Sequence, residues 1–497
     1  MYEEGSGPVA TEELLVPGET CWRIERADRH AVFVDAADYF AVLKGAVLRA
    51  QRRVLFIGWD FDPRIRLDPR RSGRRRSGGR RADKLGRVLE DAVAANPQLE
   101  IGVLQWDYGM VFALGRGLAP IVLLNRRTPD RLTLTVDTHH PIGGAHHQKI
   151  VVIDDCLAFA GGIDVTADRW DTPEHLDRQP LRRRPSTHRP TGPWHDVTSL
   201  VSGPAARALG DLARERWESG TGRSLEPVPA VEACWPPEVE PLLTDVDVAI
   251  SRTRPEHGGA ELVHEIELLW LAAIAGARRS VYIESQYFAN RRIAEAIAER
   301  LREDDGPEFV VINPESAYGW LDETAMGPAR AKLLAMVEDA DVHGRFRLYV
   351  PVTVGRRPIY VHAKVLVVDD RLLRIGSANL NNRSMGLDTE CDLSVEARGD
   401  DPRRDELAAT ITGLRDRLLG EHLGVPPEAV AESVAACDGS LLAAVEQLRR
   451  PVGRSLVPLP LPDLGPVDRT LADTELLDAE RTPNRWRRIR RSFRPRH

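Results

Sequence analysis

Apolar positions along the chain fall into short runs that alternate with amphipathic helical segments. The stretch "AADYFAVLKGAVLRAQRRVLFIGWDFD" (36–62) predicts a helix, an Arg-Arg boundary and then a buried strand. The stretch "ELVHEIELLWLAAIAGARRSVYIESQYF" (261–288) repeats this order, including the paired arginines before the strand. Because further apolar runs follow both stretches in the same order, the sequence predicts an internal duplication.

Two later strands of each stretch also have counterparts. "LEIGVLQW" at Leu99 matches "EFVVINPE" at Glu308, and "RLTLTVD" at Arg131 matches "RFRLYVP" at Arg345. Apolar runs of this length, separated by helical segments, are typical of largely parallel strands that helices cover on both faces. We therefore predict an α/β protein with two similar halves of mostly parallel β-sheet, flanked by helices and packed with pseudo-twofold symmetry.

The chain of 497 residues has room for two core-sized units. We expect an N-terminal segment (1–27), a first half (28–225), a linker (226–258) and a second half (259–425). The linker is predicted from its proline content. Residues 426–497 predict a short helical segment that is followed by a basic tail.

The next strand of each half carries the same polar residues, in "HHQKIVVIDD" (146–155) and "VHAKVLVVDD" (361–370). Both copies read H-x-K-x-x-x-x-D. The residues of this pattern are His147, Lys149 and Asp154 in the first copy and His362, Lys364 and Asp369 in the second. Residues i and i+2 of a strand share a face, so the histidine and lysine of each copy should lie side by side. Each aspartate has the opposite parity and follows the apolar run, so we expect it to brace the structure.

Pseudo-twofold packing would bring two histidines and two lysines into one cleft. Such a cleft suits a phosphodiester, because ammonium groups neutralise the non-bridging oxygens. One neutral imidazole can attack phosphorus while the other, protonated, donates to the leaving oxygen, and histidine has a pKa that allows both states near neutrality. Metal binding is the alternative use of such residues. A lysine beside each histidine and the lack of acidic ligands at helical spacing disfavour it, so we expect no metal and no cofactor.

The two motifs resemble those of the phospholipase D superfamily, whose hallmark is two copies of H-x-K-x(4)-D-x(6)-G-[SG]-x-N. The second copy matches in full, because "GSAN" (376–379) follows at the required spacing. The first continues as "GGID" (161–164), where aspartate replaces asparagine, and this departure resembles the eukaryotic-type phospholipases D. The neighbouring "GWDFDP", "DRWDT", "PWHDV" and "YIESQYF" are also similar. The resemblance covers roughly residues 20–425 and implies the phospholipase D fold.

The resemblance also implies a role for each matched residue. His147 would be the nucleophile and His362 the general acid, although the two roles can be exchanged between the halves. Lys149 and Lys364 would hold the phosphate oxygens. Two carboxylates would orient the histidines, and five further residues would line the substrate site. The carboxylates are Asp196 and Glu390, and the lining residues are Asn379, Asp164, Ser377, Glu284 and Gln286.

The activity implied by the resemblance is that of a phospholipase D, which hydrolyses the distal phosphodiester of glycerophospholipids to phosphatidic acid and a head-group alcohol. It would proceed through a phosphohistidine, with transfer to other alcohols. The alternatives are a cardiolipin or phosphatidylserine synthase-type phosphatidyltransferase, a phosphodiester nuclease and an inactive lipid-surface scaffold. The net charge of −7 disfavours the nuclease, and the intact motif residues disfavour the scaffold. The expected partners are a phospholipid and water or an alcohol, without nucleic acid, and the expected state is a monomer.

No run approaches the roughly 18–20 apolar residues of a membrane span. Five scattered cysteines and an acidic N-terminus without an apolar signal segment predict a cytoplasmic protein. Two segments, 70–81 and Arg485–His497, are strongly basic. In the second, Trp486, Ile489 and Phe493 recur at helical spacing among arginines, which predicts peripheral contact with an anionic membrane. A solvated, disordered tail is the alternative interpretation.

Overall fold

The computed structural model describes residues 13–72, 83–107, 130–229, 231, 234–316 and 320–459. The tail Arg485–His497 and most of the basic segment 70–81 lie outside these residues, so the membrane contact stays a prediction. Within the described ranges, no helix has the combination of length and apolar character that crossing a membrane requires.

The first half alternates strands and helices in the predicted order. Its described elements are β1 (Arg23–Val34), α1 (Ala36–Arg49), β2 (Arg53–Gly58), α2 (Pro69–Ser72), α3 (Leu85–Ala95), β3 (Glu100–Trp106), β4 (Leu132–Asp137), β5 (Ile150–Ile153), β6 (Leu157–Gly161), β7 (Trp194–His195), β8 (Val197–Ser202) and α4 (Pro204–Thr221).

The second half repeats this order. Its described elements are β9 (Leu243–Arg254), β10 (Val263–His264), α5 (Glu265–Gly276), β11 (Ser280–Glu284), α6 (Arg291–Leu301), β12 (Glu308–Ile312), α7 (Trp320–Ala340), β13 (Phe346–Val352), β14 (Tyr360–Val361), β15 (Val365–Val368), β16 (Leu372–Gly376), α8 (Asn382–Gly386), β17 (Glu390–Glu396) and α9 (Arg404–Leu423). After this half come α10 (Pro427–Ala436), α11 (Leu441–Leu448) and β18 (Ser455–Pro458).

One large sheet runs through both halves. Its strand order is β18-β13-β12-β11-β15-β16-β17-β9-β1-β8-β6-β5-β2-β3-β4, and β10 pairs with β9 beside this path. Apart from β18, the order is the same when read outward in either direction from the antiparallel β9–β1 pair. The predicted fold class, with two similar halves related by a pseudo-twofold axis, is therefore confirmed.

The sheet is mixed in direction. The predicted parallel pairing holds for β2–β3–β4 and for β11–β12–β13. The remaining neighbours in the large sheet are antiparallel, including the hairpins β5–β6 and β15–β16 that follow the two motifs. Both hairpins turn at motif aspartates with positive φ, 52° at Asp154 and 53° at Asp369. Aspartate is one of the few non-glycine residues that adopt this conformation readily.

The first strand of each half begins earlier than the predicted boundaries. β1 starts at Arg23, inside the predicted N-terminal segment, and β9 lies wholly within the predicted linker. Exposed charged positions interrupt the first half of each strand, and unbroken buried runs come only later, at 30–34 in β1 and 248–251 in β9. This half-exposed pattern lacks the long apolar run that identifies the other strands, which explains the difference.

Three apolar cores hold the sheet to its helices. On one face, α4 of the first half and α9 of the second pack into a single core with strands of both halves. On the other face, each half has its own core, built on α1 and α3 in the first half and on α5 and α6 in the second. The shared core makes the two halves one folded unit and fixes the positions of the two motifs.

The motif aspartates brace the strands that neighbour β5 and β15. Asp154 accepts hydrogen bonds of 2.7–2.8 Å from the amides of residues 51–53, at the start of β2. Asp369 accepts bonds of 2.8–2.9 Å from the amides of residues 278–280, at the start of β11. Both segments contain the paired arginines of the repeat. Because each aspartate follows its strand and each histidine precedes it, the carboxylates lie away from the imidazoles.

Asp369→Asn tests this bracing, with Asp370→Asn as the matched control. The amide side chain keeps the positive φ but removes an acceptor oxygen, so we expect the free energy of unfolding to fall by about 1–3 kcal/mol. Asp370 forms ion pairs of 3.4 Å with two arginines at the surface. Its substitution should cost less than about 1 kcal/mol. Denaturant unfolding followed by circular dichroism measures both values, and equal losses would contradict the bracing role.

Candidate active site

The two motif segments meet at the boundary between the halves. His147 and Lys149 precede β5, and His362 and Lys364 precede β15, so they stand at the ends of the strands instead of within them. The amide of His147 donates to the carbonyl oxygen of Thr389 at 2.9 Å, and the amide of His362 donates to that of His195 at 2.8 Å. Each half thus holds the motif backbone of the other.

The side chains repeat this exchange. Glu390 of the second half lies 2.9 and 3.0 Å from Nδ1 of His147, and Asp196 of the first half lies 2.7 Å from Nδ1 of His362. Both carboxylates are fully buried. A carboxylate that accepts from Nδ1–H leaves Nε2 unanchored, with a lone pair in the neutral imidazole and a proton in the imidazolium. None of the hydrogen bonds found among the described residues involves Nε2 of either histidine, so these atoms are available to a substrate.

The two lysines have different neighbours. Each lysine donates to the carbonyl oxygen of its own motif histidine. Lys149 also forms a buried ion pair of 3.1 Å with Asp164. At the matching position of the second half stands Asn379, whose Oδ1 is buried and has no hydrogen-bond partner among the described residues. The charge of Lys149 is therefore balanced by a carboxylate, whereas Lys364 lies in the half with the neutral amide.

Burial and the cationic groups set the protonation of the site. Burial, Lys149 and Lys364 hold the pKa of His147 well below its usual value. Burial, Lys364 and Arg169 do the same for the pKa of His362. Burial also lowers the pKa of Lys364 to about 7 and raises the pKa of Asp196 to about 7. An anion between the two lysines would stabilise both ammonium groups, so the arrangement favours a negatively charged ligand.

Two residues predicted to contact substrate lie behind the site instead. The hydroxyl of Ser377 donates to Glu390, so this buried serine supports the carboxylate that binds His147. The buried carboxylate of Glu284 pairs with His195 at 3.0 Å and accepts from the hydroxyl of Tyr282. Glu284 shares its strand parity with the fully buried Tyr282, which explains why it faces the interior.

Gln286 supports an aromatic wall beside His362. Its amide donates to the hydroxyl of Tyr360 at 2.8 Å. The ring of Tyr360 stacks on Trp194 with centroids 4.6 Å apart, and the centroid of Trp194 lies 5.2 Å from that of His362. Gln286 is thus linked to the second imidazole through Tyr360 and Trp194, and its contact with substrate stays a prediction.

Two site residues had no role in the sequence prediction. Arg169 places its guanidinium 4.3 Å from the ring centroid of Trp194, where its charge acts on His362 and Lys364. Trp59 lies beside the other histidine, with its ring centroid 6.3 Å from that of His147. Both residues belong to quoted motifs, "DRWDT" and "GWDFDP", but a motif match alone assigns no contact to them.

Sequence comparisons match two known families to overlapping parts of the chain. The family described as "Phospholipase D" matches residues 122–292, and "Cardiolipin synthase, PLD-like domain" matches residues 270–411. Phospholipase D A of Dictyostelium discoideum is 24% identical over 479 residues, which cover 80% of this chain and 36% of that protein. Cardiolipin synthase A of Pseudomonas putida is 30% identical over 257 residues, which cover 51% of this chain and 44% of that protein. The chain thus spans between about one third and one half of these relatives' lengths.

A solved structure has a similar fold. The crystal structure of phosphatidylserine synthase from Haemophilus influenzae aligns with a TM-score of 0.52 at 12% sequence identity. The alignment covers 85% of this chain and 97% of that one. At this identity the likeness establishes the fold alone.

Gly162→Ala tests the link between Asp196 and His362. A Cβ atom at Gly162 would lie 2.1 Å from Oδ1 of Asp196, so the carboxylate must move away from its place. Overpacking of this kind costs about 1–3 kcal/mol of stability. We expect the imidazole nitrogen shifts of His362 to change in NMR spectra of protein with ¹⁵N-labelled histidine, while those of His147 stay constant.

Gly192→Ala is the matched control, because a Cβ atom there meets no atom within 4 Å. It should leave both the histidine spectra and the stability as they are in the wild type. Unchanged His362 signals in a folded Gly162→Ala variant would show that Asp196 does not orient this imidazole.

Proposed function

Because the chain belongs to the phospholipase D superfamily, we propose that it is a phospholipase D that cleaves the distal phosphodiester of glycerophospholipids. The observation that carries the proposal is the reciprocal pairing of Glu390 with His147 and of Asp196 with His362. In both imidazoles Nδ1 is anchored by a carboxylate and Nε2 can reach a substrate. A two-step transfer through a phosphohistidine needs two imidazoles in this arrangement.

In the proposed first step, Nε2 of His147 attacks phosphorus and forms a phosphorus–nitrogen bond. The bond from phosphorus to the head-group oxygen breaks, and the proton on Nε2 of His362 passes to that oxygen. In the second step, water or an alcohol attacks phosphorus and gives a proton back to His362. The phosphorus–nitrogen bond breaks and releases phosphatidic acid or a phosphatidylalcohol, and both histidines return to their starting states.

The charges of the site support this assignment of roles. A pKa held well below its usual value keeps His147 neutral, and therefore nucleophilic, at neutral pH. The proton that His362 must donate has a local source, because burial raises the pKa of its partner Asp196 to about 7. Lys149 and Lys364 can hold the non-bridging oxygens, where the transition state carries its negative charge.

A synthase-type phosphatidyltransferase is the second candidate. It is supported by the match of residues 270–411 to the family described as "Cardiolipin synthase, PLD-like domain" and by the Pseudomonas putida relative. The first step would be the same in both enzymes. They differ in the alcohol that accepts the phosphatidyl group, which is a second lipid in the synthase, so the acceptor decides between them.

The direct test incubates the full chain with vesicles of phosphatidylcholine, phosphatidylethanolamine and phosphatidylglycerol in the presence of 1-butanol. We expect both phosphatidic acid and phosphatidylbutanol, measured by mass spectrometry of the extracted lipids. His147→Asn and His362→Asn should each lower turnover by at least about 10³-fold, because either change removes one partner of the transfer. His188→Asn, at an exposed position, should keep full activity.

Four outcomes would contradict the proposal or its assignment of roles. Cardiolipin and glycerol formed from phosphatidylglycerol without phosphatidic acid would favour the synthase. Cleavage of single-stranded DNA with no lipid product would favour a nuclease. Full activity of both histidine variants would exclude the mechanism, and a phosphatidyl group trapped on His362 in a rapidly quenched reaction would reverse the two roles.

The pH dependence follows from the shifted groups. Lys364 has a pKa of about 7 and loses its charge as the pH rises, and Asp196, also with a pKa of about 7, then loses the proton that His362 needs. His147 has a lowered pKa, so it stays neutral on the acid side of neutrality. We therefore expect kcat/KM for a short-chain phosphatidylcholine to fall as the pH rises through about 7, since this ratio reports the free enzyme. A ratio that keeps rising to alkaline pH would contradict these assignments.

A further inference from the structure

A buried cluster of acids and histidines lies behind the active site, between the two halves. We call it the interhalf cluster. Its members come from the loops and strands of the first half and from β11 and α9 of the second. They are Asp35, Asp171, His175, His195, Glu284, Glu421 and His422. None of these residues serves the proposed transfer directly, and all their side chains are almost fully inaccessible to solvent.

Four side chains of the cluster converge on one point. Oε1 of Glu421 lies 3.0 Å from Nε2 of His175 and 2.9 Å from Nδ1 of His195. The two oxygens of Asp35 lie 3.5 Å from Nε2 of His175 and 3.3 Å from Nδ1 of His195. Four ligands of a tetrahedral ion with bonds of about 2.0–2.1 Å stand about 3.3 Å apart. These four separations are close to the edge length of such a tetrahedron, and all four ligand atoms lie within 4.8 Å of one another.

Each of the two histidines has its far nitrogen anchored. Nδ1 of His175 lies 3.0 Å from Asp171, and Nε2 of His195 lies 3.0 Å from Glu284. A carboxylate that accepts from the far N–H leaves the near nitrogen as a lone pair, and this arrangement accompanies nearly all histidines that bind metals. When they are neutral, both imidazoles present a lone pair to the point where the acids converge.

Asp35 supplies an independent observation. Its side chain is fully buried, and its Oδ2 has no hydrogen-bond partner among the described residues. A buried carboxylate oxygen without a partner is destabilising unless a cation or a donor compensates it. This atom points towards His175, at the position where a bound ion would accept its lone pair.

The charges of the cluster are unbalanced when its histidines are neutral. Four carboxylates face two guanidiniums, those of Arg182, which binds Asp171 at 2.6 Å, and of Arg454, which lies 3.8 Å from Glu421. Two positive charges are missing. One divalent cation or two additional imidazolium protons would supply them. The ion accounts as well for the convergence of four ligand atoms and for Oδ2 of Asp35, which has no hydrogen-bond partner among the described residues.

We propose that Asp35, His175, His195 and Glu421 bind one divalent transition-metal ion, and that this ion is zinc. Two imidazoles and two carboxylates in a closed, buried, tetrahedral arrangement suit zinc, whereas calcium and magnesium prefer more oxygen ligands and retain water. The site is structural, since all four positions are filled by side chains. It joins three ligands of the first half to α9 of the second.

The ion would also position the general acid. His195 is followed directly by Asp196, and its carbonyl oxygen accepts from the amide of His362. Holding the imidazole of His195 therefore fixes the backbone that supports the second imidazole of the active site. The ion would contact neither the substrate nor the reacting nitrogen, so its role would be to position His362 through the backbone of His195.

The test measures metal in the full chain, expressed in medium containing zinc and purified without chelators. We expect about one zinc per chain by inductively coupled plasma mass spectrometry. His175→Gln and Glu421→Gln should each lower this to below about 0.2, because a site with three ligands binds far more weakly. The matched control is His30→Gln. His30 is also buried but lies 3.2 Å from Ser199 outside the cluster, so this variant should keep the metal.

The wild type alone decides the matter if a variant fails to fold. Removal of zinc with 1,10-phenanthroline should lower the thermal midpoint, and added zinc, but not magnesium, should restore it. A folded wild-type chain with only trace metal, and a midpoint indifferent to chelator and zinc, would overturn the proposal in favour of two imidazolium protons. Metal content does not depend on lipid turnover, so this result and the lipid assay fail or succeed separately.

Discussion

Each motif histidine of this protein is oriented by a carboxylate from the opposite half, and the rest of the architecture depends on this exchange. The backbone of each motif is hydrogen-bonded to the opposite half, and so is the Nδ1 atom of each imidazole. The two halves must therefore be packed together before either imidazole is oriented. The continuous sheet through β1 and β9 and the core shared by α4 and α9 supply that docking, which explains why so much apolar surface lies at the junction.

Burying ionisable groups at the junction between the halves is energetically unfavourable. The surrounding contacts compensate the two motif lysines to different extents. Lys149 is paired with Asp164 inside the protein, whereas Lys364 has a pKa lowered by burial to about 7. A buried ammonium group that is near its titration point gains most when an anion arrives. Part of the affinity for a negatively charged substrate therefore comes from relieving the unfavourable burial of the Lys364 ammonium group.

Much of this arrangement could be predicted from the sequence because it is written twice. The repeated helix–strand order predicted the two halves, and two copies of one motif identified His147, Lys149, His362 and Lys364. The side-chain contacts between the two halves are not marked by any repeated sequence pattern. The side chains of Asp196 and His362 meet although 166 positions separate them. For the same reason, the sequence did not predict that Asp35, His175, His195 and Glu421 converge. The sequence also did not predict that Glu284 faces the interior, on the same side of β11 as Tyr282.

The antiparallel pairing of β1 with β9 has a consequence for how such a site can change. A symmetric pair of identical chains must carry every substitution twice, once on each side of the axis. When both halves belong to one polypeptide, each position can vary alone. Asp164 stands in the first half where Asn379 stands in the second, and Gly162 stands where Ser377 stands. Covalent fusion thereby allows two histidines in almost the same setting to acquire opposite duties.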